Sequence, residues 1–255
     1  MSVLFVHSTG TGPFMWDAIP ESVVPADQRL TPANLGYPPL DPLPRGQQVT
    51  VHDDVAHLIK GLPPSGDLHV VAHSYGGLVA LKAAKSLGAR VKSMFLVEPV
   101  MFGAIWQDPD ADPVGKQQLA ELFQHPWFLS DETKGGTDPW LELFIDYWNR
   151  PGSWQRLPDL MKHHNLAMGW KMFCEVRSVF RDSGTYEELA PPKVPVTLVV
   201  GERSPLGSRE VIRALSRRNQ HAKVVELAGT GHMAPLTHPQ KVADALAAHL
   251  TSAGR

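Results

Sequence analysis

The chain has 255 residues, with 24 basic and 26 acidic side chains and a formal net charge of −2. This balance offers no general electrostatic attraction for nucleic acid or for an anionic membrane, so we expect neither as a partner. The length suits one large domain with an insertion, and no apolar stretch is long enough to span a membrane. The N-terminus carries no basic segment or cleavage site, so we predict no signal peptide and a cytoplasmic location.

The sequence carries no signature of a metal site or a cofactor site. Cys174 is the single cysteine, which excludes an intrachain disulfide and a CxxC metal site. His69 and His73 have His-x-x-x-His spacing, but we predict them on a strand and its turn, where this spacing does not converge on a metal. A glycine-rich GxGxxG dinucleotide loop does not occur either. We therefore predict neither a cofactor nor a metal.

The sequence around Ser74 predicts a nucleophile. The apolar run 68–72 is typical of a buried strand, and the run 78–84 favours a helix. Ser74 lies in the tight turn between them, with the small residues Ala72 and Gly76 two places to either side. Such a turn strains the backbone of the serine, exposes its Oγ above the sheet and directs the positive end of the helix towards a developing anion. The pattern indicates a nucleophile elbow, with alanine at a flank where glycine is commoner.

The segment 100–194 differs in composition from the rest of the chain. Six of the seven tryptophans lie in it: Trp106, Trp127, Trp140, Trp148, Trp154 and Trp170. We predict helices over 141–148 and 161–180, which belong to a helical cap. A cap packed over Ser74 turns part of its apolar surface towards the cleft, and this favours a substantially apolar substrate.

A candidate general base follows the last predicted strand. The strand Lys223–Leu227 leads into a Gly-Thr-Gly-His loop that ends at His232, and a C-terminal helix is predicted from about Pro239. The chain contains twelve histidines, but only His232 has this context. The two glycines allow the loop to return over the edge of the sheet, so we predict that His232 is the base for Ser74.

These motifs, in this order, make the chain resemble the α/β-hydrolase superfamily over nearly its whole length. Further similar segments are 3–10, 13–16, 34–38, 93–99 and 196–202. The first of them resembles the strand and oxyanion loop of the family, with Ser8 where glycine is commoner. The resemblance implies an α/β fold with a doubly wound, mostly parallel sheet. Residues 1–99 and 195–255 are the predicted core, and residues 100–194 are the predicted cap, inserted after the strand that ends near Val97. The resemblance also implies an oxyanion hole made of the backbone N–H groups of Thr9 and Tyr75.

The position of the catalytic acid departs from the family pattern. The family usually reads Gly-x-x-Asp after the penultimate strand, but here Ser204 stands where the carboxylate belongs. A neutral hydroxyl cannot stabilise an imidazolium by a full charge, and loss of this carboxylate costs serine hydrolases about four orders of magnitude in turnover. Glu98, after the strand that follows the elbow, is our preferred replacement, in the order Ser74, Glu98, His232. Glu202 and the absence of any carboxylate are the alternatives.

The predicted function is a serine hydrolase that cleaves a small acyl substrate, an ester, thioester or lactone, through an acyl-enzyme on Ser74. The same serine is compatible with hydrolysis of C–C bonds, perhydrolysis and cyanohydrin cleavage, and the fold alone does not choose among these reactions. An alternative of another class is a ligand receptor that has lost turnover, which the serine at position 204 motivates. The retained elbow serine and histidine loop weigh against a receptor.

Overall fold

A sheet of six strands forms the centre of the molecule. The computed structural model describes residues 2–189 and 192–254. The strands are β1 (Ser2–Val6), β2 (Arg29–Leu30), β3 (Leu68–His73), β4 (Val91–Val97), β5 (Val196–Gly201) and β6 (Lys223–Leu227). Their order across the sheet is β2-β1-β3-β4-β5-β6, and each neighbouring pair is parallel. The predicted mostly parallel α/β sheet is therefore confirmed.

Ten α-helices occur in the described residues. They are α1 (Val51–Gly61), α2 (Tyr75–Leu87), α3 (Phe102–Gln107), α4 (Pro113–Phe123), α5 (Asp138–Trp148), α6 (Ser153–Arg156), α7 (Asp159–Arg181), α8 (Leu206–Arg218), α9 (Ala234–Thr237) and α10 (Pro239–Ser252). The C-terminal helix begins at Pro239, as the sequence predicted. Within residues 2–189 and 192–254, none of the helices has the length and apolar character needed to cross a lipid bilayer.

Alternate residues of the central strands pack on opposite sides of the sheet. Val71 and Phe95 belong to a buried cluster with Leu246 of α10. Their neighbours Ala72 and Leu96 belong to a larger cluster that also contains side chains of α2 and of the helices between β4 and β5. Helices thus cover both faces, which explains why β3, β4 and β5 are nearly continuous apolar runs rather than alternating ones.

Five helices, α3 to α7, lie between β4 and β5. The helices predicted over 141–148 and 161–180 are present as α5 and α7, while α3, α4 and α6 were not predicted. Trp140 stacks on Phe128 and on Phe144, with ring centroids 5.2 Å apart in both pairs. These buried aromatic side chains are part of the core of the insertion. The domain boundaries stay predictions, and residues 1, 190, 191 and 255 of the predicted domains lie outside the described part of the chain.

The parallel sheet brings four chemically important segments to one edge. All strands of a parallel sheet end at the same edge, where ligands of such folds bind. Ser74 directly follows β3, Glu98 directly follows β4, and His232 lies in the loop after β6. Thr9 lies in the loop after β1.

Candidate active site

Ser74 occupies a strained turn between β3 and α2. Its backbone angles are φ 53° and ψ −121°, a region that residues with a side chain rarely adopt. The Ser74 N–H donates to the Val97 carbonyl at 3.0 Å, and the Ser74 carbonyl accepts from the Gly77 N–H at 2.9 Å. A Cβ on Gly76 would lie 2.4 Å from the His7 carbonyl oxygen. The turn therefore requires glycine at this flank, and the strand, turn and helix predicted around Ser74 are present.

Ser74, His232 and Glu98 form a continuous hydrogen-bonded row. Ser74 Oγ lies 2.9 Å from His232 Nε2, and His232 Nδ1 lies 2.7 Å from Glu98 Oε2. Because an ionised carboxylate can only accept, Nδ1 carries the imidazole proton and Nε2 can accept the proton of Ser74. The three residues are 5%, 2% and 0% exposed, in the order Ser74, His232 and Glu98, so water screens their interactions little. This is the geometry of a nucleophile, a base and a group that orients the base.

The loop after β6 holds His232 over the edge of the sheet. Gly229 has a φ of 72°, in the left-handed region that favours glycine. The Arg203 N–H donates to the Thr230 carbonyl at 2.8 Å, and His73 Nε2 donates to the His232 carbonyl at 2.9 Å. Burial, together with the nearby charge of His232, lowers the pKa of His73 to about 3. His73 is therefore neutral at ordinary pH and supports the loop as a hydrogen-bond donor.

Three donors converge on the Glu98 carboxylate. Oε2 accepts from His232, while Oε1 accepts from the Gly201 N–H at 2.8 Å and from the Ser204 hydroxyl at 2.6 Å. Burial acts to raise the pKa of Glu98, but the charge of His232 and these hydrogen bonds outweigh burial and hold the pKa below its ordinary value. Ser204, at the position where the family has its acid, thus donates to the carboxylate that contacts His232.

The two carboxylates considered from the sequence lie in different places. Glu98 has a φ of 43°, and its N–H donates to the Val199 carbonyl at 2.9 Å. Glu202 is exposed, and its Oε2 accepts from the Gly229 N–H at 2.6 Å. The structure therefore brings Glu98 to the His232 ring, while the Glu202 carboxylate accepts from the backbone of the histidine loop.

Two backbone N–H groups next to Ser74 are available to an anion. Tyr75 is the first residue of α2, so its N–H has no partner within the helix. In the loop after β1, the Gly10 N–H donates to the Tyr37 hydroxyl at 2.9 Å. The Thr9 N–H, by contrast, makes no hydrogen bond to any residue that the structure describes. Thr9 also lines the same cavity as Ser74.

An apolar cavity adjoins Ser74 and Thr9. The rest of its lining is Val100, Phe102, Leu122, Phe144, Trp148, Val176, Val179 and Phe180. The cavity has a volume of about 20 Å³, room for little more than one water molecule. Trp148 also stacks on His232, with ring centroids 3.7 Å and planes 20° apart. The insertion thus supplies the apolar wall that the sequence predicted without naming its residues.

Residues 3–245 match the sequence profile of the alpha/beta hydrolase family. The chain belongs to this family. It is similar to an alpha-hydroxynitrile lyase from Arabidopsis thaliana, with 25% identity over 97% of this chain and 96% of that protein. An esterase from Thermogutta terrifontis has a similar structure, with a TM-score of 0.70 and 19% identity, covering 100% of this chain and 91% of that chain. A meta-cleavage product hydrolase from Pseudomonas fluorescens IP01 also has a similar structure, with a TM-score of 0.70 and 14% identity. The match covers 100% of this chain and 92% of that chain. The family resemblance predicted from the motifs is confirmed, and membership of the alpha/beta hydrolase family supports a hydrolase enzyme.

Sequence reasoning missed a buried charged cluster in this alpha/beta hydrolase. Lys171 Nζ lies 2.5 Å from Asp54 Oδ2 and 2.9 Å from Glu175 Oε1. No motif marks these residues, and only the four-residue spacing of Lys171 and Glu175 on α7 could have predicted one of the pairs. The cation of this cluster is an ammonium group. Among the described residues, no group of three or more His, Cys, Asp or Glu side chains is placed to hold a metal ion.

Proposed function

We propose that this alpha/beta hydrolase is a serine hydrolase that cleaves an ester, thioester or lactone through an acyl-enzyme on Ser74. The observation that carries the proposal is the row of hydrogen bonds from Ser74 Oγ to His232 Nε2 and from His232 Nδ1 to Glu98 Oε2. A hydroxyl beside an oriented base is the arrangement that nucleophilic acyl transfer requires. The strained elbow supports the same reaction, because it presents the Ser74 Oγ at the edge of the sheet where the strands end.

The proposed reaction has two halves. His232 Nε2 takes the proton of Ser74 as Oγ attacks the carbonyl carbon, and the Glu98 carboxylate stabilises the imidazolium. The N–H groups of Thr9 and Tyr75 donate to the oxyanion of the tetrahedral intermediate. Its collapse breaks the C–O or C–S bond, and His232 gives its proton to the leaving group. Water deprotonated by His232 then attacks the acyl group and releases the carboxylic acid and Ser74.

The lining of the cavity supports a substantially apolar acyl or alcohol part. Four aromatic side chains of the insertion, Phe102, Phe144, Trp148 and Phe180, surround the space next to Ser74. Each methylene that a substrate buries there contributes about 0.8 kcal/mol. Longer or aromatic acyl groups should therefore be hydrolysed faster than acetyl groups.

A fluorophosphonate probe and a series of chromogenic esters from acetate to octanoate test this proposal. We expect the wild type to be labelled and to hydrolyse the longer esters faster. Ser74→Ala should be neither labelled nor active, with an unchanged melting temperature, because only the Oγ at the end of the sheet is lost. Ser130→Ala, at an exposed serine of the insertion, is the matched control and should behave as wild type. Ester hydrolysis by purified Ser74→Ala would contradict the mechanism, and a flat chain-length profile would contradict the apolar substrate.

A second candidate reaction is cleavage of a cyanohydrin, which the similarity to the Arabidopsis alpha-hydroxynitrile lyase favours. In that reaction His232 would take the hydroxyl proton of the cyanohydrin, the bond to the nitrile carbon would break, and the cyanide would leave with that proton. No acyl-enzyme forms, so cyanide release from mandelonitrile without ester hydrolysis would select the lyase. Absence of labelling and of both reactions would favour the ligand receptor.

A further inference from the structure

Lys171 lies in a cluster of charges that is closed to water. Lys171 and Asp54 are 0% exposed and Glu175 is 1% exposed, and Lys171 Nζ donates to both carboxylates. Burial raises the pKa of Glu175 above its ordinary value. The charge of Lys171 opposes this increase, and the negative charge of Asp54 adds to it. Burying three ionisable groups is unfavourable unless their geometry is tightly defined. We call these three residues the Lys171 cluster.

The Lys171 cluster is connected to both backbone donors of the proposed oxyanion hole. On one side, the hydroxyl of Tyr75 donates to Asp54 Oδ2 at 2.6 Å. Tyr75 directly follows the nucleophile and supplies one of the two proposed donor N–H groups. The side chain of the same residue is therefore hydrogen-bonded to the cluster.

On the other side, the Lys171 cluster holds the loop after β1. The hydroxyl of Tyr37 donates to Glu175 Oε2 at 2.8 Å and accepts the Gly10 N–H at 2.9 Å. The Gly10 N–H already donates to the Tyr37 hydroxyl. Of the two neighbouring N–H groups in this loop, the Thr9 N–H is therefore the one available to an oxyanion.

Helix α7 also packs directly on the loop. Gly10 has a φ of 72°, and a Cβ at this position would lie 2.8 Å from Met172 Cε of α7. Lys171 and Glu175 belong to the same helix. A displacement of α7 would therefore shift the loop and the Tyr75 side chain together.

From these contacts we infer that Tyr37 and Tyr75 are positioning residues. Held by the Lys171 cluster, their hydroxyls set the two oxyanion donors and link the placement of these donors to α7 of the insertion. The inference rests on the proposed function, because it assigns a role in stabilising the oxyanion at Ser74. The donors bind the negative charge that develops only in the transition state. Misplacing them should therefore lower kcat and leave KM nearly unchanged.

Tyr37→Phe tests the inference with minimal change, because it keeps the ring and removes the hydroxyl that bridges Gly10 and Glu175. Removing an oxyanion donor costs about 10²–10³ in kcat, so loosening one should lower kcat about 10-fold, with KM within twofold. The Ki of an alkyl trifluoromethyl ketone, whose adduct with Ser74 places an oxyanion in the same site, should rise by the same factor. Tyr186→Phe is the matched control. Tyr186 is buried, and its hydroxyl has no hydrogen-bond partner among the described residues.

The outcomes separate a positioning role from a structural one. A merely structural hydroxyl would lower the melting temperature of Tyr37→Phe but leave kcat and Ki of the folded enzyme unchanged, which would overturn the inference. Tyr75→Phe removes the hydrogen bond to Asp54 and serves as the second variant if Tyr37→Phe does not fold, with the same shift expected. A wild type without labelling or ester hydrolysis would overturn the proposed function and the inference with it. An active wild type with unchanged variants would overturn the inference alone.

Discussion

Replacement of Glu98 by Gln keeps the size of the side chain but changes the tautomer available to His232. The Gly201 N–H and the Ser204 hydroxyl both donate to Glu98 Oε1, at 2.8 and 2.6 Å. A glutamine that offers its carbonyl oxygen to these two donors turns its NH2 group towards His232 Nδ1. Because this NH2 group is a donor, Nδ1 has to accept, and the imidazole proton moves to Nε2. There it prevents acceptance of the proton of Ser74.

The opposite orientation of the glutamine is also unfavourable. Its NH2 group would then face the Gly201 N–H, and a buried donor left without an acceptor costs about 1–3 kcal/mol. We therefore expect kcat for ester hydrolysis to fall by a factor on the order of 10²–10⁴, with KM little changed. At 1.36 kcal/mol for each factor of ten, this is about 2.7 to 5.4 kcal/mol of activation free energy.

Steady-state hydrolysis of a chromogenic ester by purified variants measures this effect, and Glu202→Gln is the matched control. Glu202 is exposed and contacts the backbone of Gly229, so loss of its charge should leave kcat within a few-fold of wild type. Ser204→Asp should have opposite effects on activity in two backgrounds.

As a single substitution it places a second carboxylate next to Glu98, where two like charges cannot both ionise, and activity should fall. In the Glu98→Gln background it supplies an acid at the usual position of the family and should restore part of kcat.

A Glu98→Gln variant within a few-fold of wild type, together with an inactive Glu202→Gln variant, would refute the role of Glu98. If both single variants remain active, neither carboxylate is needed to orient His232. Melting temperatures of all variants separate loss of activity from loss of the fold, because Glu98 is completely buried.

Two further predictions concern the elbow and the buried histidines. Gly76→Ala should abolish ester hydrolysis and lower the melting temperature, because its Cβ would lie 2.4 Å from the His7 carbonyl oxygen. Gly231→Ala should resemble wild type, because among the described residues no atom beyond its two chain neighbours lies within 4 Å of its Cβ. Equal behaviour of the two variants would contradict this difference in packing. Burial lowers the pKa values of His7, His73 and His249 to about 4, 3 and 4. Between pH 7 and pH 5, therefore, only the unfolded chain takes up protons at these histidines. Acidification over this range should lower the free energy of unfolding by about 2 kcal/mol for each of them. Urea titrations at the two pH values measure this change, and equal stabilities would count against it.

Short-range patterns in the sequence were sufficient to predict the family, the turn that carries Ser74 and the loop that carries His232. The small residues around Ser74 predicted the turn between β3 and α2, since a tight backbone turn restricts the residues within it and beside it. The glycines before His232 predicted a loop for the same reason. The apolar run before Ser74 predicted a buried strand, because a strand buried on both sides has no polar face to alternate with. The mostly parallel sheet was implied by the resemblance to the family.

Only the tertiary structure decided what surrounds these elements. The sequence favoured Glu98 over Glu202, but the 2.7 Å contact of Glu98 with His232 joins residues 134 positions apart and depends on the placement of β4 beside the loop after β6. The same holds for Lys171 and Asp54, which are 117 positions apart and carry no motif. A backbone turn is a local property that leaves a pattern in neighbouring residues. A contact between distant side chains leaves none, because many residue types at many positions could make it until the fold brings two of them together.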